Sequence, residues 1–177
     1  KGIEDSTQSI TPTELYKTHA EKVADNLSLQ KKYDESISIY DSLISLYSSD
    51  QGIGNKHMQQ IMKHKYLVLI KQEKYAESAE IINKLIEMTE NMLLTSSEMD
   101  MVNKRFLQQK VCSYKSHLVE VYYKLKQIDK ISDIISEIKD QIHSIFEKDN
   151  IELYKILVTI TRYSDTVQLD YMELYIY

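Results

Sequence analysis

The sequence contains one short stretch twice, and this duplication constrains the fold more than any other feature. Residues 31–44 read KKYDESISIYDSLI, and 42 residues later residues 73–86 read EKYAESAEIINKLI. A third, longer copy follows, because Ile128 stands 53 residues after Tyr75 and precedes DKISDIISEI. Self-similarity at a period of roughly 20–50 residues is typical of repeat proteins, whose units cover one another's apolar faces. We therefore interpret the copied tyrosines and isoleucines as packing residues.

The scarcity of turn residues determines how such units can be connected. Only 3 glycines and 1 proline occur among 177 residues, which favours long helices joined by short links. Apolar residues at helical spacing predict helices over about 12–28, 33–48, 55–71, 75–93, 98–126, 129–147, 150–161 and 166–176. The fold class that follows is all-α.

Local signals mark where several of these helices start. TPTE at 11–14 is a capping box with proline at the first helical position, TSSE at 95–98 marks the start of helix five, and KDN caps helix seven. SSDQGIGN at 48–55 is expected to be a loop. In the long fifth helix, the candidates for burial are Val102, Phe106, Cys112, Leu118, Val119 and Tyr122.

The repeats also suggest how the chain is organised along its length. Residues 1–10 are interpreted as an irregular leader at the cut edge of a longer protein. Residues 11–126 are predicted to form helix-hairpin repeats, and residues 127–177 a small C-terminal helical bundle. No apolar run approaches the ~20 residues that a membrane-spanning helix needs.

Residue patterns that support catalysis or cofactor binding do not occur. There is no glycine-rich phosphate loop and no nucleophile motif, so neither an enzyme nor a cofactor is expected. A net charge of −5 gives no general case for nucleic-acid binding. The single cysteine, Cys112, is expected to be a small core residue. Metal binding is not expected either, because no two of the five histidines are four residues apart: His19, His57, His64, His117 and His143.

The pattern Y-x-E-S-I-x-I-Y-x-x-L-I in residues 33–44 resembles the second helix of tetratricopeptide (TPR) repeats. It lacks the glycine usual just before the tyrosine, and its period of 42 residues exceeds the usual ~34. The resemblance implies a TPR-like solenoid of α-hairpins with lengthened helices, wound as a right-handed superhelix and ending in the small helical bundle.

Five stretches in sequence order resemble the soluble NSF-attachment proteins (α/β-SNAP). Residues 17–44 resemble the family's Lys-His-His start and its D-x-x-K-A-I-x-H-Y-E-Q segment, and residues 55–56 resemble its S-A-N-K. QEKYAESAEIINKL resembles L-E-Q-Y-Q-K-A-I-D-I-Y-E, and NKRFLQQKVCSY places Cys112 on the family's cysteine. Residues 149–170 are similar to Q-N-V-D-x-Y-x-x-x-V-x-E-Y-D-S-I-S-R-L-D. The resemblance spans about residues 15–171.

The resemblance implies a cytoplasmic, non-enzymatic adaptor in vesicle trafficking. Such proteins coat the assembled SNARE four-helix bundle with a concave basic face and recruit the ATPase NSF, which disassembles it. The family's SNARE-facing lysines fall on Lys17, on Lys56 and on Asn103 or Lys104. We choose Lys104, with Arg105 beside it. Peripheral membrane contact would come from the family's N-terminal half, which these residues do not match.

The sequence also departs from the family at its end. The family's final helix and acidic tail are replaced by LDYMELYIY, without the tryptophan, so the resemblance implies weak SNARE binding and no activation of NSF by this chain. The alternative interpretation is a generic TPR-like scaffold that binds a peptide or a helical partner. An enzyme is a third possibility, which would require a polar pocket that the sequence does not predict.

Overall fold

The computed structural model describes residues 12–48, 54–95, 99–146 and 150–164, and within these ranges it has seven helices and no strand. The helices are α1 (Pro12–Leu29), α2 (Tyr33–Ser48), α3 (Gly54–Lys71), α4 (Tyr75–Thr95), α5 (Met101–Lys124), α6 (Ile128–Ile145) and α7 (Ile151–Ser164). The all-α prediction is confirmed, and each helix ends within three residues of its predicted bounds. The predicted segment 166–176 and the leader 1–10 lie outside the described residues.

The helix starts agree with the local signals at α1 and α7. Pro12 is the first residue of α1, as predicted. Thr11, the first residue of the capping box, lies outside the described residues. Asn150 caps α7, since its Oδ1 accepts hydrogen bonds from the next helical N–H groups at 2.9 and 3.3 Å. In the TSSE stretch, Thr95 is the last residue of α4 and residues 96–98 lie outside the described residues.

Asp100 is the residue that starts α5. Its side chain accepts a hydrogen bond from the backbone N–H of Asn103 at 2.8 Å, which is N-cap geometry. The side-chain amide of Asn103 donates a second hydrogen bond to the same carboxylate. These two hydrogen bonds, the backbone one first, hold the pKa of Asp100 below its usual value. A carboxylate also interacts favourably with the N-terminal end of the helix dipole, so Asp100 is a good cap directly before Met101.

Three helix ends close with the same turn. Lys31, Glu73 and Lys126 have φ angles of 62°, 60° and 59°, in the left-handed region, and each lies two residues before the next helix. At the first turn, the N–H groups of Lys31 and the following residue donate to carbonyls three and five residues back, at 3.1 and 2.9 Å. This pair of bonds is a Schellman motif, and it recurs at the other two turns. The turns are 42 and 53 residues apart, so the sequence repeat is also a repeat of local structure.

Three equivalent positions are buried in all three copies, whereas the copied tyrosines and isoleucines at positions 33/75 and 39/81 are half-buried. In α2 the Ser36 hydroxyl donates to the Ala24 carbonyl at 2.8 Å, and in α6 an isoleucine takes the same position. Helical residues spaced by three or four positions share a face, so each copy presents one stripe to the interior. The equivalent buried sets are Ser36, Ser78 and Ile131; Tyr40, Ile82 and Ile135; and Leu43, Leu85 and Ile138.

The chain divides into two compact units, Lys1–Val68 and Leu69–Tyr177. In the first unit, α1 packs on α2, and α3 joins them through Lys65, whose Nζ lies 2.6 Å from the Asp41 carboxylate. One buried core cluster of this unit consists of Ala24, Tyr40, Leu43, Ile61 and Val68. Its helices therefore share one apolar interior.

Helix α5 is the central element of the second unit and packs on α4, α6 and α7. Polar contacts tie its middle to the last two helices: Gln109 Nε2 donates to the Ile145 carbonyl at 3.0 Å, and the Ser113 hydroxyl donates to Glu152 at 2.8 Å. The apolar stripe of α6 is fully buried at Ile131, Ile135, Ile138 and Ile142.

Two of the six residues predicted to be buried in α5 are exposed. Val102 is 78% exposed and Phe106 is 53% exposed, so their predicted burial was wrong. Along α5, burial begins only at Leu107. The prediction is confirmed for the remaining four: Cys112, Leu118, Val119 and Tyr122.

Within the described ranges, the helices are too short or too polar to cross a lipid bilayer.

Candidate functional site

The start of α5 carries two of the four candidate binding residues. Every residue from Met101 to Phe106 is exposed, which places Lys104 and Arg105 at the surface of the second unit. Three large apolar side chains accompany them, since Met101 is 80% exposed and Val102 and Phe106 are also exposed. We call Met101, Val102, Lys104, Arg105 and Phe106 the α5 patch.

A third cation lies one turn further along the same helix. Lys110 places its Nζ 4.9 Å from the centroid of the Phe106 ring, a cation–π contact. The carboxylate of Asp100, which caps the helix, offsets one of these positive charges. The α5 patch is thus a basic surface with an apolar component, on a chain whose net charge is −5.

Lys17 and Lys56 lie in the first unit, in two different environments. The Lys17 side chain is only 7% exposed, and its Nζ lies 4.4 Å from the centroid of the Tyr47 ring. His57 stacks on the same ring, with centroids 5.6 Å apart and planes 14° from parallel. Lys56, next to His57, is exposed. The structure therefore places Lys17 in a packed cation–π contact and leaves Lys56 at the surface.

A second polar group in the first unit joins α1 and α3. Glu21 and Asp25 lie one turn apart on α1, and the Nδ1 atom of His64 on α3 lies 3.6 Å from the Glu21 carboxylate and 3.3 Å from that of Asp25. We call these three residues the His64 cluster. The ligand atoms that they offer all lie within 4.8 Å of one another.

Tyr40 on α2 fixes one carboxylate of the His64 cluster. Its hydroxyl donates to Asp25 Oδ1 at 2.6 Å, and its ring meets the His64 ring edge-on with centroids 6.1 Å apart. Burial, together with the nearby Asp25 carboxylate, raises the pKa of Tyr40 above its ordinary value. The hydroxyl thus remains a hydrogen-bond donor well into the alkaline range.

A cleft of about 410 Å³ lies among α4, α5 and α6 in the second unit. Lys115 crosses it: its Nζ is 3.6 Å from Glu90 on α4 and 2.7 Å from Glu137 on α6. Asn83 donates to the Tyr122 hydroxyl at 3.2 Å on the same lining. These contacts tie three helices together, and they give the cleft charged walls of both signs.

Cys112 does not form a reactive site. It is 0% exposed, as predicted, and burial raises the pKa of its thiol to about 11. Because the thiolate is the reactive form, this cysteine is held in its inert, protonated state near neutral pH.

Neither the His64 cluster nor the contacts of Lys115 across the cleft were predicted from the sequence. The spacing of Glu21 and Asp25 does place both carboxylates on one face of a helix, and that signal was readable. His64 is 39 residues further on, and only the packing of α3 brings it to them. Glu90 and Glu137, the two residues that Lys115 joins, are likewise far apart in sequence.

Comparison with known proteins leaves the family open. A scan against protein-family models finds no match, and neither does a search of curated proteins. The resemblance to the soluble NSF-attachment proteins therefore remains a prediction from the sequence.

Proposed function

We propose that this protein is an adaptor that binds an assembled SNARE four-helix bundle and recruits an NSF-type ATPase for its disassembly. The observation that carries the proposal is the α5 patch, where Lys104 and Arg105 are exposed beside Val102 and Phe106. The partner is taken from the resemblance of about residues 15–171 to the soluble NSF-attachment proteins.

We further propose that the helix pairs stack as a TPR-like, right-handed solenoid that ends in a small helical bundle. The three matching turns and the equal burial of the copied stripe support this arrangement, because both recur at the sequence periods of 42 and 53 residues. Stacked helix pairs offer elongated surfaces that suit a long helical partner.

The composition of the α5 patch suits such a partner in two ways. Exposed cations attract an acidic helical surface and set its orientation, while like-charged partners are disfavoured. Aromatic residues, methionine and arginine are enriched where protein interfaces lose their water, and Phe106, Met101 and Arg105 supply all three. Affinity would come from the apolar contacts, and specificity from the charge.

The other two candidate lysines have different roles in this proposal. Lys56 is exposed and available for a charged contact. Lys17 acts indirectly, because its ammonium group packs on the Tyr47 ring, next to the helix start that carries Lys56. Reversal of charge at Lys17 would place a carboxylate against that ring and disturb the fold, so it is a poor test of binding.

The proposal is tested by capture of an assembled SNARE bundle on this chain. The variant Lys104→Glu/Arg105→Glu reverses the charge of the α5 patch. We expect it to abolish capture, and wild-type capture to weaken as salt rises from about 50 to 500 mM, because exposed charges are screened. Lys56→Glu, tested separately, should weaken capture by a smaller amount.

The matched control reverses two cations near the other end of α5, one in its last turn and one in the turn that follows. Lys124→Glu/Lys126→Glu makes the same change in net charge at exposed positions about 30 Å away along α5. Capture should survive in this control. Equal loss in both double variants, or capture that is insensitive to salt, would rule out the α5 patch as the binding surface.

Recruitment of the ATPase is a separate step with its own measurement. An NSF-type ATPase and ATP are added to the captured bundle, and release of the SNARE chains is followed over time. Stable co-capture of the ATPase with this chain supports the adaptor role. Capture of the bundle without any ATPase would leave a SNARE-binding protein that is not an adaptor.

A second candidate function is a scaffold for an extended peptide, and the cleft among α4, α5 and α6 favours it. Its lining includes Asp133 as well as Glu90 and Glu137, for which a basic side chain of a partner would compete with Lys115. Fluorescence anisotropy with labelled basic peptides tests this function. Peptide binding that Glu137→Gln weakens and the α5 patch variant leaves unchanged would favour the scaffold over the SNARE adaptor.

A further inference from the structure

We propose that Glu21, Asp25 and His64 form a binding site for a divalent transition-metal ion of the zinc type in the first unit. The proposal does not rest on the adaptor function, because it concerns different residues and a different ligand. It also differs from the expectation drawn from the sequence, in which the histidines have no metal-binding role.

Two of the three separations within the His64 cluster match those between the ligands of one zinc ion. Bonds of about 2.0–2.1 Å at tetrahedral angles place neighbouring ligand atoms roughly 3.3–3.5 Å apart. The His64 Nδ1 atom lies 3.3 Å from Asp25 Oδ1 and 3.6 Å from Glu21 Oε1. The Glu21 and Asp25 oxygens lie within 4.8 Å of each other, so one ion can contact all three residues if the two carboxylates adjust around it.

The absence of a hydrogen bond at His64 Nδ1 is an independent observation. Nδ1 is buried as an atom and makes no hydrogen bond, although two carboxylate oxygens lie close to it. Distance alone would suggest an ion pair, but the direction needed for an N–H···O bond is missing. A buried polar atom without a partner is costly, and a metal ion between the three groups would satisfy it.

The donor set selects the class of ion. One imidazole nitrogen and two carboxylates suit zinc and its neighbours among the transition metals. Calcium and magnesium prefer six or more oxygen ligands, so this site should bind them far more weakly. Three protein ligands leave one tetrahedral position for water, and the ion would cross-link α1 to α3.

Tyr40 is the outer residue that would hold the site in place. Its hydroxyl donates to Asp25 Oδ1 at 2.6 Å, which orients that carboxylate towards His64. Outer partners of this kind usually change metal affinity by about 10–100-fold when they are removed. Tyr40→Phe, which keeps the buried ring, should therefore weaken binding within that range.

The test is calorimetric titration of the tag-free chain with ZnCl₂. We expect one ion per chain and a thermal midpoint that rises with Zn²⁺ concentration, because the ion binds the folded state. His64→Gln and Glu21→Gln should each lower the affinity by about 10-fold or more. His19→Gln is the matched control, since His19 is exposed on α1 and lies outside the cluster.

Three outcomes would overturn the proposal. The first is no heat of binding up to about millimolar Zn²⁺, which corresponds to less than ~4 kcal/mol of binding free energy. The second is an unchanged affinity in both His64→Gln and Glu21→Gln, and the third is Ca²⁺ binding as tight as Zn²⁺ binding. Circular dichroism identifies any variant that loses its helical structure. Glu21→Gln is the safer variant, because Glu21 is only partly buried and the amide keeps its size.

Discussion

At the scale of single residues, Tyr40 combines a buried ring with a hydroxyl that donates to a charged group. Its side chain is 1% exposed, whereas the Asp25 side chain that accepts its hydrogen bond is 46% exposed. The hydroxyl therefore contributes to stability through one directed contact at the edge of the core. Lys17 is a comparable case, because its aliphatic stem is buried while its ammonium group packs on an aromatic ring.

Replacement of Tyr40 by phenylalanine isolates the hydroxyl. We expect Tyr40→Phe to lower the free energy of unfolding by about 1–2 kcal/mol, because a hydrogen bond to a carboxylate is lost while the ring packing is kept. Urea denaturation at pH 7 measures the change. Tyr16→Phe is the control, since Tyr16 is 58% exposed and should change stability by less than ~0.5 kcal/mol.

The same variant gives a prediction for alkaline pH. Since the pKa of Tyr40 is raised in the folded state, its contribution is complete below the ordinary pKa of 10.0 and is lost as the pH rises above it. The stability difference between wild type and Tyr40→Phe should therefore narrow between pH 9 and pH 11. A constant difference across this range would mean that the hydroxyl titrates alike in the folded and unfolded chains.

At the scale of helices and turns, the repeat is built from one turn geometry and one buried stripe. The left-handed residues that close the turns are lysine, glutamate and lysine, and not the glycine that such positions favour. A residue with a Cβ atom costs roughly 1–2 kcal/mol in this conformation. The turns thus form because the packed helices on either side compensate for their local strain.

Glycine at the first of these turns should stabilise the protein. We expect Lys31→Gly to raise the free energy of unfolding by up to about 1 kcal/mol, after the entropy cost of glycine in the unfolded chain is subtracted. Lys32→Gly is the matched control: the neighbouring residue is exposed but is not left-handed, so glycine should be neutral or destabilising there. Urea midpoints compare the two, and equal effects would contradict the role of the φ angle.

The stripe of α6 gives a second prediction at this scale. Ile138 is 0% exposed, and Ile138→Ala should cost about 2–5 kcal/mol because it removes buried surface and leaves a cavity. Val158 in α7 is 56% exposed, so Val158→Ala should change stability by less than ~0.5 kcal/mol. Thermal or urea unfolding separates the two cases. A small effect at Ile138 would show that α6 is loosely packed.

At the scale of the whole molecule, charge is distributed unevenly. The chain is acidic, with a net charge of −5 and a pI near 5.6, yet the α5 patch brings two exposed cations next to exposed apolar residues. Net charge governs long-range attraction to polyanions, whereas a local patch governs contact with one shaped partner. Our proposal requires a local charged patch and does not require a positive net charge.

This distinction predicts weak binding to nucleic acid. At about 150 mM salt, a labelled DNA duplex should bind the chain more weakly than the ~10⁻⁴ M that marks ordinary non-specific binding. Fluorescence anisotropy measures this, and the α5 patch variant should behave like wild type. Micromolar binding to DNA would mean that capture of an acidic helical bundle reflects general attraction to polyanions.

The helices, the buried stripes and the turn periods could be predicted from the sequence alone. The helices and the buried stripes follow from apolar periodicity, and the turn periods follow from the copied stretches, because each depends on neighbours within a few turns. The burial of Cys112 was predicted from its place inside the fifth helix, next to Val111.

Contacts between separate helices determine which residues the core covers and which distant residues meet. Val102 and Phe106 have the spacing of buried residues, yet both are exposed at the start of α5. Lys17 is buried because Tyr47 lies against it, and His64 approaches Glu21 and Asp25 only through the packing of α3. Periodicity specifies the face that a residue occupies, but only contacts between separate helices determine whether that face is covered.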